Sequence, residues 1–316
     1  MKFCLILDPL EHLKAYKDSS VAMMREAQRR GHEVYAVMRP ALLWRDGAVR
    51  AQAARLTLRD DHHDWFAVGT SSEQVLTAFD AVLMRQDPPF DIEYIAATWL
   101  LERAQEGGAR VFNDPRAVRD HSEKLSILEF PQFSTPTLVA REPEAIQAFI
   151  DSMEDAVLKP IDGMGGSQIF RVHCGDPNRN VIAETLTQHG TRTIMAQRYL
   201  PEIALGDKRI LLIGGAVVPY ALARIPKAGE TRGNLAAGGT GVAQPLSARD
   251  REIAEHLAPI LQARGILLTG IDVIGDCLTE INVTSPTCFV EITEQTGFSV
   301  AGMFIEALEK AVQGAL

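Results

Sequence analysis

Residues 269–288 read TGIDVIGDCLTEINVTSPTC, and the way this stretch turns back on itself decides how the rest of the chain is read. Residues 270–274 form an apolar strand carrying one carboxylate, Asp272. The chain turns at Gly275-Asp276 and returns over 278–283. Alternation on the returning strand sends Glu280 and Asn282 to one face and Ile281 and Val283 to the other. Oxygen donors on one rigid surface, with no His or Cys at ligand spacing, suit a hard ion such as Mg²⁺ rather than zinc. Register then matters. A two-residue turn would put Asp272 and Glu280 on opposite faces, whereas a three-residue loop over 275–277 sets them directly across from each other. The longer loop is the expectation. The alternative, an edge hairpin whose acids face water, fits poorly with the β-branched residues around them.

Around this hairpin the chain reads as strands and helices in turn. Residues 247–264 form an amphipathic helix ended by Gly265, and 299–312 a closing helix. Between 225 and 245 the sequence becomes IPKAGETRGNLAAGGTGVAQP, with five glycines and a central Arg232. A loop this long in a compact unit is usually functional, and a lid that excludes water is expected. Just before it, 210–213 and 216–224 make a hairpin turned by Gly214-Gly215 and opened by Asp207-Lys208-Arg209. Arg209 and Arg224 sit on strands that otherwise read as core, so their charges need partners, and phosphate or carboxylate fits the guanidinium fork. Residues 193–200 form a strand whose end either offers backbone groups to an adenine edge, between Met195 and Leu200, or simply exits into a loop.

A strand over 156–160 ends on Lys159 and is followed by Gly163-Met164-Gly165-Gly166-Ser167 and another strand over 169–172. This is no Walker loop, since GxxxxGK[ST] is missing and a strand follows. It is a glycine-rich turn whose N–H groups can crowd onto phosphate oxygens with no Cβ in the way. Glycines also serve ordinary hairpins, but a buried lysine at the strand end needs an anion, and phosphate is a good one. Residues 1–120 alternate strands and helices, implying a small parallel sheet. No GxGxxG follows the first strand. Two of its loops could touch a ligand: Lys17-Asp18-Ser19-Ser20 at a helix N-terminus, and Arg85 at a strand end. For Ser19 the simpler role is helix capping, and for Arg85 it is a pair with Asp87.

With 316 residues, the chain is long enough for two or three domains. A net charge of −9 argues against nucleic acid or an anionic membrane as partner. No apolar run is long enough to cross a bilayer. Four scattered cysteines form no CxxC pair, and the cytoplasm is the expected compartment.

Taken together, KDSS (17–20), RQDPPF (85–90), LKPIDGMGGSQIFRV (158–172), ARIPKAGETRGNLAAGG (223–239) and LTEINVTSPTC (278–288) make the chain resemble the prokaryotic-type glutathione synthetases of the ATP-grasp superfamily over essentially its full length. The resemblance implies an α/β ATP-grasp fold of three α/β domains. These would be an N-terminal unit (1–122), a central ATP-grasp unit with the glycine loop (123–201) and a C-terminal unit with lid and metal site (202–316). ATP would lie between the sheets of the last two, with Lys124 and Lys159 on its phosphates beside Gly163, Met164, Gly165, Gly166 and Ser167. Gln197, Arg198, Tyr199 and Leu200 would hold the adenine, and Asp207 and Lys208 would complete the nucleotide site. Asp272, Glu280 and Asn282 would ligate two Mg²⁺, with Mn²⁺ as a substitute.

The implied reaction passes the γ-phosphate to the cysteinyl carboxylate of γ-glutamylcysteine, and glycine's amine then attacks the acyl phosphate. No enzyme nucleophile is needed, in keeping with the lack of a Ser/His/Asp or Cys/His constellation. Arg209 and Arg224 would face developing charge, while Arg232 and Gly239 of the lid would shield the acyl phosphate. Asp18, Ser19 and Arg85 would bind the dipeptide, and Asn282, Ser285, Pro286 and Thr287 would complete the substrate contacts, the last three at glycine. A homotetramer is also implied. The chain departs from the family at Thr240 and Val290, where basic residues are common. Other ATP-dependent carboxylate–amine ligases would share the glycine loop and metal strand and differ at 17–20, 85–90 and 284–290. A regulatory protein that only binds nucleotide would not need the full set.

Overall fold

The computed structural model describes residues 1–163, 166–227, 229, 233, 235 and 238–315. Its strands assemble into three sheets, taken by the chain one after another.

The first sheet is built from β1 (Lys2–Leu7), β2 (Glu33–Met38), β3 (Leu42–Arg45), β4 (Ala48–Leu58), β5 (Phe66–Val75), β6 (Ala81–Met84) and β7 (Val111–Phe112), with helices α1 (Ser19–Arg29), α2 (Ile92–Glu106) and α3 (Pro115–Asp120). β2, β1, β6 and β7 run parallel, as the alternation of strand and helix predicts. The sheet is mixed, however, because β4 joins β2 antiparallel, shares that same edge with β3 nearer its start, and carries β5 on its far side. β5 escapes sequence reading because it is a largely exposed edge strand with no apolar alternation. The hairpin at Asp46-Gly47 is present as expected. α1 is capped by Asp18, whose carboxylate accepts the Val21 N–H at 2.9 Å. Ser19 is the first helical residue, so capping, the simpler role expected of it, belongs to its neighbour.

The second sheet contains β8 (Thr137–Ala140), β9 (Asp155–Pro160), β10 (Phe170–His173) and β11 (Ile194–Arg198), all antiparallel, with α4 (Pro143–Met153) and α5 (Arg179–Thr187) on one face. Its core is its own: Ile146, Ile150, Leu158, Val172, Leu186 and Ile194 pack together, apart from the other two sheets.

The third sheet runs β14-β13-β12-β15-β16, from β12 (Asp207–Ile213), β13 (Ala216–Ile225), β14 (Thr240–Pro245), β15 (Leu268–Ile274) and β16 (Cys277–Asn282), with α6 (Ala248–Ala263), α7 (Phe289–Thr296) and α8 (Val300–Val312). The 225–245 stretch is thus not all loop, since 240–245 pair with β13. Both larger apolar cores join the first and third sheets: Leu5, Leu83, Leu211 and Phe304 share one, and Ile6, Val82, Ile271 and Ile281 the other. Asn113 ties them further, its amide donating to Leu268 O and Val283 O at 2.8 Å each.

The turn between β15 and β16 differs from expectation. Ile274 faces Cys277 across a two-residue turn, and Val273 faces Leu278. The register then shifts, so that Asp272 lies opposite Glu280 after all. A bulge at Thr279 does what the longer loop was expected to do. Thr279 anchors it by donating its hydroxyl to Asp272 O at 3.1 Å.

Candidate functional site

A cavity of about 300 Å³ lies between the second and third sheets, walled at one end by the segment that follows β16. Two charged clusters face into it.

The first cluster is built on lysines. On β9, Ala156 and Leu158 point into the core, so Val157 and Lys159 point to the cavity. Lys124 reaches the same place from the linker between the first two sheets. Its ammonium donates to Gly163 O at 2.5 Å and lies 3.4 Å from Glu280 Oε1. Lys159 Nζ lies 3.8 Å from that same oxygen. Burial pushes the Lys159 ammonium down from the usual lysine range, partly offset by Glu280 and reinforced by Lys124. Two buried cations thus share one carboxylate oxygen, which leaves positive charge over for an anion. Gly163, whose carbonyl Lys124 bonds, opens the glycine-rich segment. A Cβ at Gly163 would come within 2.8 Å of Pro160 Cγ, so the turn admits no larger residue there without movement. Met164 and Gly165 lie outside the described residues.

The second cluster pairs across strands. Arg209 faces Asp272 between β12 and β15, and Asp207 faces Arg224 between β12 and β13. Arg209 grips Asp272 with both arms of its fork, Nε to Oδ1 at 2.5 Å and Nη2 to Oδ2 at 3.0 Å. Arg224 Nη2 reaches Asp272 Oδ2 at 2.8 Å and also bonds Asp207. Burial alone would raise the Asp272 carboxyl, but the two guanidinium groups outweigh it and hold the group well below the usual range. Asp207 is pushed up to about 6, chiefly by burial, with Arg224 opposing and Asp272 adding repulsion. Its Oδ1 is buried with no hydrogen-bond partner among the described residues. These arginines, expected to seek a ligand's anion, therefore have protein partners. The partners lie up to 63 residues away in sequence, beyond any spacing rule.

Asp272, Glu280 and Asn282 all line the cavity. Asn282 donates its amide to Gly270 O at 3.1 Å. The donors are oxygens, which suits a hard divalent ion. Among the described residues no three His, Cys, Asp or Glu side chains gather closely enough to hold a metal by themselves. Both Asp272 oxygens are already engaged by arginine. The set therefore fits an ion that brings further oxygen ligands with it.

Where β11 ends, Gln197, Arg198, Tyr199 and Leu200 line the cavity. Gln197 donates to Thr137 Oγ1 at 3.0 Å, and the Arg171 guanidinium lies 3.8 Å above the Tyr199 ring. Lys208 is not brought in. Alternation on β12 turns it to the other face, where it bonds Asp250 and donates to Gly275 O at 2.9 Å.

Ser285, Pro286 and Thr287 line the far end; Arg85, Ser19 and Asp18 do not line the cavity, though Arg85 and Ser19 bond the backbone of that segment from behind. Arg85 is buried and donates to Ser20 Oγ at 3.2 Å and Pro286 O at 2.9 Å. Burial lowers its pKa, and no carboxylate among the described residues stands within ion-pair distance of it, so the simpler alternative to a ligand contact, a pair with Asp87, is not formed. Ser19 Oγ accepts the Phe289 N–H at 3.2 Å. Cys288, in the left-handed region at φ 83°, is buried, and burial pushes its thiol up, which favours the protonated form. Gly239 packs against the loop's own backbone: a Cβ there would meet Gly233 O at 2.4 Å. Arg232 lies outside the described residues. Glu123, which also lines the cavity, was not singled out from sequence, although its place directly before Lys124 was a signal.

Residues 1–119 match the N-terminal domain model of prokaryotic glutathione synthetase, and residues 123–297 match its ATP-grasp domain model. The glutathione synthetase of Ralstonia nicotianae is 58% identical over 311 residues, covering 98% of this chain and 96% of its own. That of Nitrosomonas europaea is 60% identical over 315 residues, covering 99% and 98%. Among solved structures, a D-cycloserine synthetase superposes with TM-score 0.65 at 16% identity, covering 99% of this chain and 100% of that one. The ATP-grasp ligase PsnB, complexed with a precursor peptide and AMPPNP, gives 0.62 at 17%, covering 98% of both. At such low identity these two speak for the ATP-grasp fold alone.

Proposed function

The chain belongs to the prokaryotic glutathione synthetase family, and from that premise we propose that its cavity joins γ-glutamylcysteine to glycine at the expense of ATP. It is an ATP-dependent ligase of ATP-grasp fold. At the level of residues, the reading is carried by Lys124 and Lys159 converging on a single oxygen of Glu280.

In this reading the triphosphate lies along the two lysines and under the glycine turn, with the base against residues 197–200. Lys124 and Lys159 draw negative charge off the γ-phosphate as it passes to the cysteinyl carboxylate, giving ADP and an acyl phosphate. Glycine's amine, held by residues 285–287, adds to the acyl carbon. The resulting tetrahedral species expels phosphate and the amine loses its proton, leaving the peptide bond. Arg209 and Arg224 hold Asp272 fixed, and their guanidinium N–H groups give the wall hydrogen-bond donors for the oxyanion. Glu280 and Asn282, with Asp272 sharing its oxygens, would hold up to two Mg²⁺ (or Mn²⁺), which supply charge neutralisation at the transferred phosphoryl group. Arg85, with Asp18 and Ser19 nearby, offers a carboxylate of the dipeptide a buried cation that has no carboxylate partner among the described residues. Arg232 and Gly239 belong to the lid.

The three-unit division at 122/123 and 201/202, a homotetramer and a cytoplasmic location complete the proposal. Exposed Trp44, Ile92 and Trp99 support self-association, and the four free cysteines support a reducing compartment. No helix among the described residues is long and apolar enough to cross a membrane.

Phosphate release over a panel of dipeptides and amines tests the reading. ADP should appear only with γ-glutamylcysteine, and peptide only when glycine is also present. Turnover with D-alanine in place of that pair would overturn it.

A further inference from the structure

The segment 283–288 is pinned at three points. At its start, Glu123 Oε1 accepts the Val283 N–H at 3.1 Å, the Thr284 N–H at 3.2 Å and the Thr284 hydroxyl at 2.8 Å. In its middle, Arg85 donates to Pro286 O and accepts from Ser285 Oγ through its carbonyl at 3.2 Å. Just past its end, Ser19 Oγ holds the Phe289 N–H. Arg85 and Ser19 come from loops of the first sheet. Glu123 comes from the linker that carries Lys124, and the Ile281 N–H donates to its carbonyl at 2.8 Å. Glu123 and Lys124, adjacent in sequence, therefore touch three parts of the site. The Glu123 carboxylate holds the far segment, its carbonyl extends the edge of β16, and the next side chain meets Gly163 O and Glu280.

We propose that Glu123 is a positioning residue for the acceptor amine, fixing residues 283–288 against phosphate-binding Lys124 so that nucleotide and amine are held in register. The inference rests on the site reading given above. A single oxygen accepting three donors calls for the lone-pair density of a carboxylate, which a neutral amide supplies less strongly. Alanine would leave all three donors unpaired beside a buried Thr284. Aspartate would fall short by one methylene.

The test uses the full chain as wild type, Glu123→Ala and Glu123→Gln, with ATP, γ-glutamylcysteine and glycine. A misplaced acceptor should raise the glycine KM of the alanine variant by about tenfold or more and release more ADP per peptide formed, with the ATP Kd changed by less than about threefold. Glutamine keeps an acceptor oxygen at the same reach and should fall between alanine and wild type. Thr284→Val removes one donor and should shift the glycine KM the same way by a smaller factor, which keeps the question open to measurement if the alanine variant does not fold. An unchanged glycine KM in folded variants overturns the inference, and so do equal losses for ATP and glycine. If wild-type enzyme makes product without glycine, the site reading itself has failed, whatever Glu123 does.

Discussion

The two charged walls of the cavity have similar components but opposite balances. On the lysine wall two buried ammonium groups share one carboxylate oxygen, and Glu280 keeps 22% of its side chain exposed. On the arginine wall two guanidinium groups meet two carboxylates, and Asp272 keeps 4%. The first wall carries unspent positive charge and so waits for a ligand. The second sets two charges against two, so its carboxylates are held by the protein's own arginines before any ligand arrives. A carboxylate on the first wall should therefore matter for turnover, and one on the second for stability.

The sharpest way to break this contrast is Asp272→Ala. Removing one partner from a buried pair leaves uncompensated charge and costs about 3–5 kcal/mol. The variant should show a large fall in urea midpoint without ligands present. A loss under about 1 kcal/mol would mean that water reaches the arginines and the wall is not a closed unit.

Glu280→Gln should do the reverse. Its stability in urea should fall by less than that of Asp272→Ala, because Glu280 keeps part of its side chain in solvent and stands 3.4 and 3.8 Å from its lysines. Its kcat should fall by about a hundredfold or more, with ATP affinity held, since the role proposed for it acts on the transferring phosphoryl group. Steady-state rates beside an ATP titration read the two separately. Equal loss of kcat and ATP affinity would place Glu280 among the plain binding groups.

The same contrast explains what could be read from the sequence. Two parts of the lysine wall were legible because their signals are local: Lys159 ends a strand immediately before a glycine turn, and Glu280 alternates with Ile281 on β16. The role of Lys124 came only with the family resemblance, and Glu280, which it meets, lies far away in sequence. The arginine wall was legible only in half. Arg209 and Arg224 stood out as charges on core strands, but their partners are set by cross-strand register, which one sequence does not fix. Asp272 and Glu280 were expected to meet, and they do, by a different device. Leu278 and Ile281 are both fully buried in the same core, three residues apart on one strand. Strict alternation cannot put both inside, so that spacing was the signal of the bulge at Thr279. Lys208 shows the opposite failure, for it sits between two wall residues and alternation alone turns it away.

The smallest expected effect is a slope rather than a step, and it tests whether the arginine wall holds one proton among its four charges. Asp272 takes contacts from both guanidinium groups, whereas Asp207 has one and a buried oxygen without a partner among the described residues. The proton therefore belongs to Asp207, in keeping with its rise to about 6. An unfolded aspartate titrates near ~3.9, so between about pH 4 and 6 the native state binds the proton more tightly than the unfolded one. Asp207 then adds stability at the acid end of that window and loses it as pH rises through the folded value. Asp272 has the other sign: its contribution is present above the unfolded pKa and is lost on acidification below it. In Asp207→Asn the downward slope should vanish, so the variant's stability relative to wild type should climb from about pH 4 to 6 and level off above. Urea midpoints measured across that range give the difference curve directly. A flat curve would put the proton elsewhere, and the second wall would then be charged through and through, with no neutral member.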